Sequence, residues 1–361
     1  MRYLRLLFIP FSLLYALAIA MRNFLFKVGQ IKSQSFLIPI ISIGNITVGG
    51  TGKTPATEYI IRILQKRYRL ATLSRGYKRK TKGVILSDDK STAADIGDEP
   101  MQMKNKFKGV QVAVAEKRVD GISALLSLKN LPDVILMDDA FQHRYVLPGL
   151  SILLIDFNRP IWNDILLPAG NLREFVSGKK RADIILFSKC PSNISEEMRK
   201  EFTYRIQPTT NQNVYFSTVD YFPAKPLIKD NNNSSSLLIN KETEILVISG
   251  IARPEAFISH VKKQTDQVHV LNFSDHHTFI EKDLVLIEKR YNKLNPEHRA
   301  IITTEKDATR LKELIGLSDA LKNNIWYIPI QMKILFNQEE QFEKNIIKYV
   351  DNNRSNSKIY S

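Results

Sequence analysis

FLIPIISIGNITVGGTGKTPATEYIIRILQKRY, residues 36–68, is the stretch that decides the fold. Phe36–Ile43 is a short apolar run rich in β-branched residues, and it stops at Gly44, as a buried strand does. From Pro55 to Tyr68 the apolar residues Ala56, Tyr59, Ile60, Ile63 and Leu64 recur at helical spacing. Strand, glycine loop and helix form the opening unit of a parallel α/β sheet. Phosphates need converging backbone N–H groups, the positive end of a following helix, a lysine and a hydroxyl for Mg²⁺. Gly52, Lys53 and Thr54 fit the second half of that pattern, whereas its first glycine falls on Thr47. Gly49 and Gly50 supply compensating freedom. An ordinary glycine turn leaves Lys53 and Thr54 at the helix start unexplained. Gly49, Gly50, Thr51, Gly52, Lys53 and Thr54 are therefore the candidate nucleotide-binding residues, with ATP and Mg²⁺ as cofactors.

Outward from this unit, further apolar runs recur at Leu70–Leu73, Val110–Val114, Val134–Met137, Ser151–Ile155 and Ile184–Phe187. Their spacing predicts a P-loop NTPase-like, mostly parallel sheet covered on both faces. Asp138 and Asp139 directly follow Val134–Met137. Carboxylates at the end of such a strand hold the metal beside a nucleotide, so Thr54, Asp138 and Asp139 are the candidate Mg²⁺ ligands. A helix cap is the ordinary alternative for an aspartate there. After Phe216 the pattern changes, and Lys229–Ser236 is a polar, low-complexity linker tip. Glu244–Ser249, Val268–Phe273 and Ala300–Thr303 read as strands of a second, smaller α/β domain. Asn324–Lys333 reads as an extended return, and a last helix near Gln338–Val350 leads into a frayed tail. The expected divisions are 1–28, 29–222, a linker at 223–242, 243–323 and 324–361.

The 361 residues carry 52 Lys and Arg against 37 Asp and Glu, and the +15 surplus attracts anionic partners of any kind. Nucleic acid is not expected, because no zinc spacing, basic recognition helix or aromatic-and-basic RNA signature accompanies the charge. Cys190 stands alone, which excludes an intramolecular disulfide or a cysteine metal cluster. Leu6–Met21 is uncharged and lies between Arg2 and Arg5 on one side and Arg22 and Lys27 on the other. A cleaved signal, a spanning helix and an interfacial helix all fit this layout. The nearby nucleotide motif argues against export, and Pro10 against an uninterrupted span. The expectation is a membrane-associating helix on the cytoplasmic leaflet, with a buried core helix as the alternative.

Beyond these local patterns, several blocks occur together: ITVGGTGKTP, Leu73-Ser74-Arg75-Gly76-Tyr77, Gly97-Asp98-Glu99-Pro100, and Asp138-Asp139-Ala140-Phe141-Gln142-His143. They continue with Leu167–Glu174, Asp275-His276-His277 and Thr304-Glu305-Lys306-Asp307. In residues and order the chain resembles the tetraacyldisaccharide 4′-kinases of lipid A synthesis. Ala140, where Gly is usual, and Asn171, where Pro is common, depart from that pattern. The resemblance implies transfer of the γ-phosphoryl of ATP to the 4′-hydroxyl of an acylated glucosamine disaccharide 1-phosphate, giving lipid IVA. It implies two α/β domains joined by a two-stranded hinge, and residence on the cytoplasmic face of a Gram-negative inner membrane. It also makes Asp98 the catalytic base, paired with His276. Arg75, Arg118 and Arg173, in or near the matching blocks, are candidate substrate or phosphate ligands, with a surface ion pair as the alternative for each. His143 is a candidate partner of the aspartates or simply a packed polar residue, and His277 a neighbour. A membrane-associated P-loop GTPase or ATPase switch is the competing function. For it, Thr304–Asp307 is a superficial guanine-motif match.

Overall fold

The computed structural model describes residues 7–228, 237, 239–312, 314 and 317–359. Arg2, Arg5, Leu6 and the predicted linker tip Lys229–Ser236 lie outside the described residues. The chain divides into two compact units, Met1–Val219 with Met332–Ser361, and Asp220–Gln331.

Nine strands form the sheet of the first unit: β1 (Ile40–Gly44), β2 (Leu70–Ser74), β3 (Ile85–Leu86), β4 (Gln111–Val114), β5 (Val134–Asp138), β6 (Leu150–Asp156), β7 (Ile184–Ser188), β8 (Asn213–Tyr221) and β14 (Ile330–Ile334). Their order is β14-β8-β7-β6-β1-β5-β2-β4-β3. β1 pairs in parallel with β5 and with β6, so the strand order reverses at β1, where α/β sheets open a crevice for ligands. Pairing starts at Ile40 rather than Phe36 because Pro39, just before it, has no N–H to donate. Within β5, Val134 and Leu136 enter one hydrophobic core while Ile135 and Met137 enter another. A strand buried on both faces has no polar side, which is why it reads as an unbroken apolar run.

Helix α1 (Ile9–Lys27) precedes the sheet, and Pro10 lies in its first turn, where a missing N–H breaks no helical bond. Pro10 does not interrupt the helix. Nor is α1 a core helix: Leu13, Leu14 and Leu17 are 67%, 66% and 64% exposed. Its other face is tied to the first unit. The Ser12 hydroxyl donates to Leu166 O (3.1 Å) and accepts from Ala169 N–H (3.0 Å), and Tyr15 donates to Arg173 O (2.8 Å). Arg22 donates to Gln142 O (2.5 Å), and Phe26 is buried against Tyr145. Ser12, Tyr15, Arg22 and Phe26 recur at helical spacing. The usual amphipathic arrangement is inverted, with the polar stripe against protein and the apolar stripe outward.

In the second unit, β10 (Glu244–Ser249), β11 (Val268–Asn272), β12 (Arg299–Thr304), β13 (Ile325–Ile328) and β9 (Lys225–Pro226) form a sheet in the order β11-β10-β12-β13-β9. Two boundaries differ from the expectation. Lys225–Pro226, inside the expected linker, pairs antiparallel with β13, and β13 stays in this sheet instead of returning the chain. The return comes at residues 331–332, within β14. The last helix also runs further than expected, over Glu339–Ile359. Phe342, Ile346 and Val350 are fully buried, while Tyr68 donates to Asp351 (2.5 Å) and Arg354 pairs with Asp133 (3.0 Å). These contacts hold a polar segment whose composition alone predicts fraying. Phe342, packed between Tyr59 and Tyr215, should cost about 3–5 kcal/mol of stability when changed to Ala, measured as a shift in the urea unfolding midpoint.

Candidate active site

The phosphate loop leaves β1 at Gly44, where a Cβ would lie 2.7 Å from Phe141. Only glycine fits that approach. Gly49 and Gly52 adopt left-handed φ of +89° and +79°, immediately before the helix Lys53–Leu64 (α2). Thr47 is not a turn residue. Val48 N–H donates to Asn171 O (2.8 Å) and Arg173 N–H to Ile46 O (2.7 Å), so Thr47 sits in an isolated antiparallel bridge with Leu172. Asn171 N–H in turn donates to the Asp164 carboxylate (3.0 Å), a bond that proline at this position could not make.

At the loop's far end the Lys53 ammonium lies 3.5 Å from the Asp139 carboxylate, which also accepts from Arg173 (3.2 Å). Asp139 has a left-handed φ of +46°, turning the chain just beyond β5. Burial alone would raise its carboxyl, but Lys53 and Arg173 outweigh burial and hold it below the ordinary carboxylate range. Asp138 contrasts with it. Buried at 2% exposure, it accepts from the Thr57 hydroxyl (3.0 Å), and burial with nearby Glu99 pushes it up to about 7 despite Lys53. A carboxylate carrying such an unrelieved charge is what a divalent cation would relieve, so the donor set fits Mg²⁺.

Behind the loop, Gln142 donates to Asn45 O (2.7 Å) and to Glu174 (2.9 Å), and Arg181 pairs with Glu174 (2.8 Å). Asn45 donates to the Thr51 hydroxyl (2.8 Å). Asp98 opens the helix Asp98–Lys106 and is half-buried; Gly97 before it has φ +92° and lies against Gly76 and Tyr77. Arg75 is exposed at the end of β2. Arg118 differs from the expectation of a substrate ligand: it is 2% exposed, with its guanidinium on Ala115 O (2.6 Å) and Asp138 O (3.4 Å). It braces the strand end and offers no free face. Burial pushes His143 down to about 4, with Arg118 adding to the effect, so it is a neutral packed group at physiological pH.

His276 belongs to the second unit and has a left-handed φ of +57°. Its ring nitrogens contact Arg310 (3.2 Å) and Lys306 (3.2 Å). His277 is a structural neighbour, bonded to Asp283 (2.8 Å) and stacked on Phe273. The motif Thr304–Asp307 starts a helix, and Asp307 is fully buried, accepting from Gly250 N–H (3.0 Å), Thr304 (2.7 Å) and Arg310 (2.8 Å). Committed to these three bonds, Asp307 is not available to read a guanine.

Four residues beside the loop were not singled out from sequence: Asp156, Arg159, Ser188 and Lys189. Asp156 is 2% exposed between Arg159 (3.5 Å) and Lys189 (3.4 Å), while Ser188 donates to Thr51 O (2.8 Å). A signal existed. Asp156 and Ser188 end apolar parallel strands just as Asp138 does, on the edge where α/β ligands bind.

The profile of the tetraacyldisaccharide-1-P 4′-kinase family matches residues 4–351. A tetraacyldisaccharide 4′-kinase of Bacteroides thetaiotaomicron is 46% identical over 356 residues, covering 96% of this chain and 94% of that protein. One from Flavobacterium psychrophilum is 45% identical over 359 residues, covering 99% and 100%. Among solved structures, LpxK of Aquifex aeolicus, crystallised in complex with ATP, is 29% identical with a TM-score of 0.71, covering 96% of this chain and 99% of that one.

The raised Asp138 carboxyl has a consequence for the nucleotide-free protein. The folded state binds a proton more tightly than the unfolded chain, whose value is 3.8, so this group destabilises the fold increasingly as pH rises from about 4 to about 7 and constantly above that. Asp138→Asn should therefore stabilise the nucleotide-free protein at pH 8, by on the order of 1–4 kcal/mol, with no gain at pH 4. Thermal unfolding across that pH range measures it.

Proposed function

This chain belongs to the tetraacyldisaccharide-1-P 4′-kinase family, and on that premise we propose which of its residues carry the reaction and where it takes place. The protein is an ATP-dependent tetraacyldisaccharide 4′-kinase of lipid A synthesis, transferring the γ-phosphoryl group to the 4′-hydroxyl of tetraacyldisaccharide 1-phosphate. Gly49, Gly50, Thr51, Gly52 and Lys53 bind the ATP phosphates. The observation that carries this assignment is Lys53 at the start of α2, 3.5 Å from Asp139 and beside the buried Asp138. Thr54, Asp138 and Asp139 would hold Mg²⁺, which supplies neutralising charge on the phosphates when bound.

Phosphoryl transfer asks mainly for in-line positioning and charge neutralisation, and a sugar hydroxyl further needs somewhere to leave its proton. Asp98 accepts that proton, and His276 is the second residue the family resemblance marks as catalytic. Arg173 is bound to Asp139 and Arg75 is exposed at the end of β2, so both remain phosphate or substrate ligands in this scheme.

The site works at a lipid surface. An apolar face on α1, backed by hydrogen bonds from Ser12, Tyr15 and Arg22 to the first unit, suits a helix lying in the interface. To span the bilayer, α1 would have to carry its polar docking surface into hydrocarbon, which is costly. The protein is therefore monotopic, on the cytoplasmic face of the inner membrane where ATP is available.

With radiolabelled ATP, Mg²⁺ and the acylated disaccharide 1-phosphate, label should appear on the lipid product. Lys53→Ala should lower that transfer by on the order of a hundredfold or more. Asp98→Ala should lower kcat about 10²–10⁴-fold with little change in ATP affinity; an unaltered kcat would remove Asp98 from the mechanism. Deleting residues 1–28 should shift the protein from vesicles to supernatant in a sedimentation assay, and undiminished vesicle binding would place the anchor elsewhere.

A further inference from the structure

A planar trans peptide fixes a relation between neighbours: when the C=O of one residue points away from a ligand, the N–H of the next points toward it. Three carbonyls of the phosphate loop are held by side chains outside the loop. Arg159 donates to Val48 O (3.3 Å), Lys189 to Gly50 O (2.5 Å) and Ser188 to Thr51 O (2.8 Å). The N–H groups of Gly49, Thr51 and Gly52 are thereby turned the opposite way. We propose that Asp156, Arg159, Ser188 and Lys189 form a carbonyl clamp that presets these amides for the triphosphate, making Arg159 and Lys189 positioning residues for ATP. The inference rests on the assignment of this loop to the ATP phosphates.

Two features show that the clamp is built. Both cations are anchored on Asp156, a buried carboxylate at the end of β6 that also accepts from Asn158 N–H (3.0 Å). Lys189 itself holds a left-handed φ of +58°, a backbone that costs a lysine about 1–2 kcal/mol and persists only where the surroundings enforce it. The loop side matches. A Cβ built on Gly49 would lie 3.4 Å from the Arg159 guanidinium, an ordinary contact distance, so the clamp sits directly against the loop. A loop with this many glycines otherwise samples many peptide orientations, and fixing them in advance lowers the ordering cost of binding.

A simpler account competes. Two cations on one carboxylate leave a positive excess that would attract a triphosphate by its field alone. Asp156→Asn separates the two, because Asn still accepts from Asn158 N–H but no longer anchors the cations. A field effect predicts tighter MgATP binding in this variant, and a clamp predicts weaker. Calorimetric titration of the full-length protein with MgATP should show about tenfold weaker binding for Arg159→Met, for Lys189→Met and for Asp156→Asn, with Lys189→Arg restoring most of the loss. In the nucleotide-free variants, hydrogen–deuterium exchange should quicken at residues 49–52 while the β1, β5 and β6 amides stay protected. A general loss of structure would instead expose all of them. Unchanged affinity and exchange in both methionine variants would overturn the clamp, as would tighter binding by Asp156→Asn. If the wild-type protein itself fails to bind MgATP, the assignment of the loop to ATP falls instead. Should Asp156→Asn not fold, exchange in the methionine variants still decides the matter.

Discussion

The parallel pairing that sets Ile43 of β1 opposite Asp138 of β5 is the constraint on which the rest depends. It ends a glycine loop and an acidic strand at one edge of the sheet. Pairing with β6 on the other side brings Asp156 to the same edge. Because both neighbours run parallel to β1, their C-terminal ends coincide, and the glycine loop, Asp138 and Asp156 arrive there without long loops. Burial does part of the remaining work: with little water to screen it, Asp138 feels Lys53 more strongly than at an open surface, while the partly exposed Asp139 is held between Lys53 and Arg173.

The sheet was legible because each central strand is an apolar run bounded by a turn, and a strand buried on both faces can have no other composition. The positions of the Lys53–Thr54 helix start and of the aspartates at the end of β5 were legible for a related reason, since polar residues stand out where an apolar run stops. The role of Arg118 was not. An arginine that binds a ligand and one that braces a backbone carbonyl look alike in sequence; only the 2% exposure and the carbonyls of Ala115 and Asp138 separate them. Lys189 was missed because its partner is a backbone oxygen, and a carbonyl has no identity in the sequence. The helical tail was missed because Asp351 and Arg354 find their partners, Tyr68 and Asp133, hundreds of positions away.

In the second unit a short motif has been turned inward. Asp307 accepts from Gly250, Thr304 and Arg310, and Arg310 continues to His276, so the loops after β10 and β12 are locked by one buried carboxylate. A buried charge is tolerable only when hydrogen-bonded on every side, and Asp307 meets that condition. The left-handed backbone of His276 depends on this support. Its ring contacts Arg310, which Asp307 itself holds.

The apolar helix and the phosphate loop are linked through one stretch of chain. Leu166–Arg173 receives Ser12 and Tyr15 of α1 on one side, and on the other supplies Asn171 O to Val48 and Arg173 N–H to Ile46. Gln142 repeats the arrangement, accepting from Arg22 and donating to Asn45 O. Tyr15 and Arg22 thus end on Arg173 and Gln142, two residues that themselves bond the loop. A helix placed for membrane contact alone needs only an apolar face and a tether. Because Tyr15 and Arg22 end on residues that support the loop, the polar stripe of α1 fixes the distance between its exposed apolar face and the loop.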